Sequence, residues 1–346
     1  MAKETTIQNQ RPRMDINGDI MDAHDGCLEY FNGYYWLYGT RYGDTSGYGQ
    51  TNTYVCYSSP DLEQWTPHGI IIPNAKPAVY FRPYVKHCPH TGKWVLWYCW
   101  APRWRGSTLW NSGHGVYEKK VDAQPNARPD GWFRFGVAVG DKPEGPFHVI
   151  NEDARLTRKT KGDLNLFVDD DGAGYIVYAS MRDDYKIMVE KLTPDFLMGS
   201  GEVSEVIYSG AEAPCMFKLN NYYYVLCGEL CCFCPQGSGA QVFRSSHPLG
   251  PYEPRNNINR LPSQHPVITE KRHPIIIHGQ ETHVAQIHTT DGPQHIWIAD
   301  LWQTTPDEMK GHDLQFWSSP LKVNDRGDLL PLKYEPEWNT TLKPPG

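Results

Sequence analysis

A chain of 346 residues is long for one average domain and short for three, so its length leaves one large domain or two ordinary ones. With 39% hydrophobic and 21% charged residues it excludes wholesale disorder, and a net charge of -7 without a dense Lys/Arg run gives no footprint for nucleic acid. No apolar run approaches the ~18 residues of a membrane-spanning helix, and the opening MAKETTIQNQRPR lacks the apolar core of a signal peptide, which fits a cytoplasmic protein or one whose signal has been removed.

Twelve Trp, 21 Tyr, 31 Gly and 28 Pro, spread along the whole chain, favour many short strands over long helices. Residues 1–14 read as an extended N-terminal arm. After it one unit recurs: a strand, a tight turn, an aromatic strand, then a third strand ending in a polar turn. Residues 28–40, LEYFNGYYWLYGT, precede TYVCYSSPDLEQW, and residues 84–100, YVKHCPHTGKWVLWYCW, precede FGVAVGDKPEGPF. The third unit, LFVDDDGAGYIVYAS at 166–180, leads to YKIMVEKLTPDF; the fourth, MFKLNNYYYVLCG at 216–228, leads to QVFRSSHPLGPY. VAQIHTTDGPQHIWIADLW at 284–302 and LQFWSSPLKV form the fifth.

Such units, starting about 50 to 80 residues apart, predict an all-β five-bladed β-propeller spanning 1–346 as a single domain. The alternative is a β-sandwich with chance similarity between its hairpins. A polar insertion at 101–132, holding Trp104, Trp110 and Trp132, interrupts only the second unit and reads as a loop on one rim. A protein-interaction propeller of the Trp-Asp repeat type would need ~40-residue repeats, which are absent.

In a propeller the innermost strand of each blade lines a central channel, so residues at the start of that strand face one mouth. Asp25 opens the first unit, Asp163 (KGDLNLF) the third and Glu212 (GAEAPCMF) the fourth. Carboxylates brought together in a partly buried site raise one another's pKa, which lets a general acid and a general base coexist near neutral pH. Each also has a plainer reading: an Asx turn for Asp25, loop-amide bonding for Asp163, a rim charge for Glu212. Asp169, Asp170 and Asp171 in VDDDGAGY are hairpin-turn residues on this reading and stay outside the site.

At these positions the sequence resembles glycoside hydrolase family 43, the five-bladed propellers acting on arabinan, xylan and galactan side chains. DGCLEYFNGYYWLYG places Asp25 at that family's general base, DLNLFVDDDG places Asp163 at its pKa-modulating aspartate, and EAPCMF places Glu212 at its general acid. RPYV, GVAVGDKPEGPF, LFVDDDG, EAPCMFK, GQETHV and IADLW are similar to the exo-β-1,3-galactanase branch. That branch has AHGGG where this chain has AHDGC, and is thought to use the blade-five glutamine as base; here Asp25 and Gln280 are both present. It also carries a glutamate where this chain has Phe81, next to Arg82 and close to Tyr84.

The resemblance implies an inverting, exo-acting glycosidase that releases galactose or arabinofuranose from a plant-type polysaccharide or oligosaccharide. The alternative is an inactive carbohydrate-binding propeller. Glu212, its pKa raised, protonates the leaving oxygen, Asp25 activates water, and Asp163 holds Glu212 protonated and oriented. His24, Arg82 and Gln280 are expected on sugar hydroxyls, with Trp36, Trp100, Phe233 and Trp302 as candidate stacking rings. No cofactor is required; because relatives hold a cation or water near a blade-five histidine, the resemblance allows a structural calcium, here near Gln280 and His283.

Nine cysteines in a chain of this size read as buried free thiols, above all Cys27, Cys56, Cys99, Cys215 and Cys227. CGELCCFC could bind zinc but lacks a second knuckle.

Overall fold

The computed structural model describes residues 2–45, 47, 49, 52–102, 108–112, 115–119, 133–158, 161–230, 233–261 and 274–344. Strand β1 (Lys3–Gln8) comes first, followed by blade I: β2 (His24–Phe31), β3 (Tyr34–Arg41), β4 (Thr53–Ser59) and β5 (Thr66–Ile70). Blade II holds β6 (Val79–Cys88) and β7 (Lys93–Ala101), then, after a two-stranded ribbon of β8 (Thr108–Ser112) and β9 (Gly115–Lys119), β10 (Arg134–Gly140) and β11 (His148–Asn151). Blade III is β12 (Leu164–Val168), β13 (Gly174–Ser180), β14 (Lys186–Leu192) and β15 (Gly199–Val203). Blade IV is β16 (Ala211–Leu219), β17 (Tyr222–Glu229), β18 (Gln241–Ser245) and β19 (Glu253–Asn257). Blade V is β20 (Gln280–Thr289), β21 (Gly292–Leu301) and β22 (Leu314–Trp317), and β23 (Glu337–Leu342) comes last.

Within each blade neighbouring strands pair antiparallel, and the innermost strands β2, β6, β12, β16 and β20 each touch the next, with β20 returning to β2. The ring closes, and the expected five-bladed propeller is the fold; no α-helix occurs among the described residues.

Alternation along the inner strands sends one set of side chains into the channel and the other between blades. The largest apolar cluster fills the space around blades I to III and includes Trp97, Tyr38, Tyr178 and Phe135. Trp97 donates its indole N–H to the Phe196 carbonyl at 2.7 Å, so the buried ring leaves no orphan donor.

The N-terminal arm is more than an extended tail. β1 pairs antiparallel with β23 over six residues, from Lys3 opposite Leu342 to Gln8 opposite Glu337. Leu342 also pairs with Thr289 of β20. Ile7, Trp338 and Leu342 share one core with Leu28, Leu37 and Val55 of blade I and with Ala285, Ile287 and Ile298 of blade V. The first and last strands therefore seal the gap between the first and last blades.

Of the blade-two insertion, β8 and β9 carry Trp110 within a hairpin, while Trp104 and Trp132 lie outside the described residues. Asp169 to Gly172 form the expected turn: the Gly172 N–H donates to the Asp169 carbonyl at 2.9 Å. Cys27, Cys56, Cys99, Cys215 and Cys227 are buried free thiols, as is Cys88. Cys234 departs from the free-thiol reading: it is held in a disulfide, which removes it as a zinc thiolate, and its partner lies outside the described residues.

Candidate active site

The inner strands do not start as regular ladders. Pairing slips between His24 and Cys27 in blade I, between Phe81 and Tyr84 in blade II, between Glu212 and Cys215 in blade IV, and between Glu281 and His283 in blade V. In three of these bulges one residue takes a left-handed backbone: Asp25 at φ 49°, Arg82 at φ 52° and Ala213 at φ 51°. Each costs about 1–3 kcal/mol, which the surrounding ring must over-determine. A bulge re-aims the side chain beside it, and here all of them lie at the same end of the channel.

Gly26, beside Asp25, completes the first bulge. A Cβ there would lie 1.9 Å from the Tyr38 carbonyl oxygen on β3. Gly26→Ala is expected to push β2 away from β3, destabilising the fold by about 1–3 kcal/mol. Because Asp25 moves with it, kcat/KM should fall about 10²-fold. Denaturant titration and steady-state kinetics on glycoside substrates check both.

Asp25 is 5% exposed. Its backbone N–H donates to Asp300 Oδ2 at 2.7 Å, and Tyr42 donates its hydroxyl to Asp25 Oδ2 at 2.6 Å. Oδ1, by contrast, makes no well-formed hydrogen bond among the described residues. Burial pushes this carboxyl up to about 6, with the Arg82 guanidinium and the Thr40 and Tyr42 hydroxyls holding it back.

Arg82 ties the carboxylates together. Its guanidinium lies 3.5 Å from Asp163 Oδ2 and donates to the Glu281 carbonyl at 3.1 Å. Burial works against its charge, but Asp163, Tyr84 and Asp25 more than restore it, so it stays cationic. Asp163 Oδ2 also accepts the Ala213 N–H at 2.8 Å, which fixes the bulge carrying Glu212. Glu212 is 7% exposed and its Oε1 accepts the Gln280 Nε2–H at 3.0 Å. The Gln280 carbonyl oxygen in turn accepts the Trp302 indole N–H at 2.9 Å. Asp25, Asp163 and Glu212, from three blades, thus converge on one mouth, with Arg82 from a fourth and Gln280 from the fifth.

The other expected site residues divide. Trp302 and Phe233 meet edge to face with centroids 4.9 Å apart, and Tyr42 stands 5.5 Å from Phe233 and 5.8 Å from Trp302, making an aromatic wall. His24 is corrected: Nδ1 lies 2.9 Å from Asp300 Oδ1 and Nε2 lies 3.2 Å from the Gly311 carbonyl, so neither nitrogen is left for a sugar hydroxyl. Burial would lower its pKa, but Asp300 and Asp22 overcome that and take it to about 9, which makes it an imidazolium holding blade I to blade V. Trp100 is also corrected. It is 5% exposed, stacks on Tyr80 at 6.4 Å and donates its N–H to the Glu152 carbonyl at 2.8 Å, so it is a packing residue of blade II. Trp36 lies at the other end of β3, near Tyr34 and His68.

Four contributors escaped the sequence reading. Asp300 accepts from both His24 and the Asp25 backbone, Tyr42 caps Asp25, and Asp22 accepts the Tyr42 and Gly43 N–H groups at 2.9 and 2.7 Å. Lys310 places Nζ 4.0 Å from the Phe233 ring centroid and 4.3 Å from that of Trp302. Asp300 had one signal: it lies two residues before Trp302 in IADLW, at the mouth end of β21. Lys310 had none.

Calcium needs roughly 6–8 oxygen ligands, and the surroundings of the blade-five histidine do not supply them. His283 Nδ1 accepts from Asn165 Nδ2 at 3.0 Å, and Nε2 lies 3.7 Å from Glu29, whose carboxylate is already paired with Lys86 at 2.6 Å. One lysine-neutralised carboxylate does not fit a calcium site, and no metal-binding cluster forms among the described residues.

A sequence profile described as Glycosyl hydrolases family 43 matches residues 32–300. A beta-D-galactofuranosidase of Aspergillus niger is 26% identical over 201 residues, 57% of this chain and 53% of the relative, so the chain spans about half that protein's length. An exo-beta-1,3-galactanase of Clostridium thermocellum superposes with a TM-score of 0.74 at 22% identity, covering 96% of this chain and 66% of that one. A beta-1,3-galactosidase solved with galactodeoxynojirimycin gives 0.73 at 21% identity, covering 96% and 99%. The two structural likenesses carry the fold alone, and the profile carries the lineage: the chain belongs to the glycosyl hydrolases of family 43.

Proposed function

We propose that the chain is a glycosidase that removes a terminal sugar with inversion at the anomeric carbon, Glu212 acting as general acid and Asp25 as general base. The observation that supports this reading best is Asp25: its carboxyl is raised to about 6, Oδ2 is held by Tyr42, and Oδ1, with the Thr40 hydroxyl nearby, makes no well-formed hydrogen bond among the described residues. A buried carboxylate so arranged is ionised at neutral pH and suited to take a proton from water. Asp163 fixes the Glu212 bulge through the Ala213 N–H, and Gln280 orients the Glu212 carboxyl. An inverting pair stands roughly 6.5–9.5 Å apart, leaving room for the water.

Two observations favour exo action on a compact sugar. Arg82 bonds to the Glu281 carbonyl and the Tyr84 hydroxyl to the Thr282 carbonyl, so blade II is tied to blade V across the channel beneath the mouth. Trp302, Phe233 and Tyr42 pack edge to face into an aromatic wall that bounds one side of the mouth. The relatives named above direct the choice of sugar towards galactose; arabinofuranose, the other sugar implied by the family resemblance, comes next.

A panel of nitrophenyl glycosides together with β-1,3-galactan and arabinogalactan tests the activity. Proton NMR of the first-formed product should show the opposite anomer to the substrate. Retained configuration would remove Asp25 as a base; sugar binding without hydrolysis of any substrate would make this a carbohydrate-binding propeller.

A further inference from the structure

The same channel has a second mouth. The far halves of the five inner strands enclose a cavity of about 400 Å³ there, a volume in the range of small-molecule sites. It lies at the ends of β2, β6, β12, β16 and β20 opposite to Asp25, Arg82, Asp163, Glu212 and Gln280, so it is separate from the acid–base site.

We propose that this far-mouth cavity binds a neutral sugar of one or two rings. The charges lining it satisfy one another: Lys86 pairs with Glu29 at 2.6 Å, and Lys218 pairs with Asp169 and Asp170 at 2.8 Å each. An anion would have to displace those carboxylates and a cation those ammonium groups, so neither gains much. An uncharged ligand rich in hydroxyls disturbs nothing.

The wall also offers what such a ligand uses. His295 is 9% exposed, lines the cavity, and buries Nδ1 without a hydrogen-bond partner among the described residues. Burial lowers its pKa to about 4, so at neutral pH the ring presents one donor and one acceptor, as a hydroxyl requires. Leaving such an atom unpaired costs about 1–3 kcal/mol, which a hydroxyl would recover once the ring turns Nδ1 to the cavity. Half-buried rings lie close by: His288 stacks on Tyr30 at 4.1 Å. Exposed Gln286 on the same wall adds an amide. Binding at this cavity does not depend on hydrolysis at the other mouth.

The test is a titration of the full chain carrying Glu212→Gln with galactose and with β-1,3-galactobiose, read by the imidazole proton signals of His295 and His288. The expected result is a saturable shift with Kd of about 10 mM or tighter. His295→Phe and, as a variant at an exposed position that spares the core, Gln286→Leu should each weaken it about tenfold. In the wild-type background both should leave kcat/KM for glycosides within about twofold, which separates the two mouths. The proposal is overturned if the signals do not saturate, if both variants titrate like the parent, or if only inorganic phosphate or calcium chloride moves them. Should no glycoside be hydrolysed, the titration still decides this site by itself.

Discussion

Glu212→Gln is expected to fold normally and to hydrolyse glycosides with alkyl or sugar leaving groups about 10²–10⁴-fold more slowly. The isosteric amide still fits beside Gln280, which sits 3.0 Å from Glu212 Oε1, but it has no proton to give. A dinitrophenolate departs without protonation, so the same variant should lose far less on dinitrophenyl glycosides. Asp25→Asn gives the complementary pattern: water activation is needed whatever departs, so the loss should be about 10²–10⁴-fold on every substrate. With Asp25 raised to about 6, the wild-type kcat/KM should fall tenfold per pH unit below that value, because only the ionised form accepts the proton, and should fall again on the alkaline side as Glu212 loses the proton it has to donate. Kinetics across leaving groups and pH read all of this at once. If Asp25→Asn keeps its rate, Asp25 is not the base. Gln280 would then be next, although its amide already donates to Glu212 and accepts from Trp302.

Asp300→Ala should be the most destabilising single change in the site, by about 3–5 kcal/mol in denaturant unfolding. The carboxylate is fully buried and accepts from His24 at 2.9 Å, from the Asp25 N–H at 2.7 Å and from Gln315 at 3.2 Å. Removing it strands a buried imidazolium and an orphaned backbone donor together. The pH dependence follows from His24, whose folded pKa of about 9 lies above its ordinary 6.5. Its contribution is therefore fully present below pH 6.5 and lost as pH rises through about 9, and Asp300→Ala should remove that alkaline dependence. A wild-type stability curve flat across this window would show that His24 is not the imidazolium described.

The ring was legible because each blade repeats the same local chemistry, a tight turn between two alternating strands, and five such repeats leave little choice of architecture. Asp25, Asp163 and Glu212 were legible because their position at the start of an inner strand fixes which mouth they face. The supporting groups were not. Asp300 acts across 275 positions, Tyr42 on the bulged Asp25, and Asp22 on the Tyr42 and Gly43 backbone past the end of β3, and a bulge changes side-chain direction without changing residue type. The errors share a cause: His24 and Trp100 have suitable chemistry and lie near the mouth, but their hydrogen-bonding atoms are consumed by Asp300, Gly311 and Glu152. Sequence shows what a side chain could donate, not whether the fold has already used it.

The base and its anchor sit on opposite banks of the join between blades I and V, Asp25 on one and Asp300 on the other. That join is sealed by pairing between residues 3–8 and 337–342. During synthesis the clasp cannot fasten until Leu342 has left the ribosome, long after Asp25, Asp163 and Glu212 have been made. On the proposed mechanism, chains that stop short of residues 337–342 leave this join unclasped and are therefore inert.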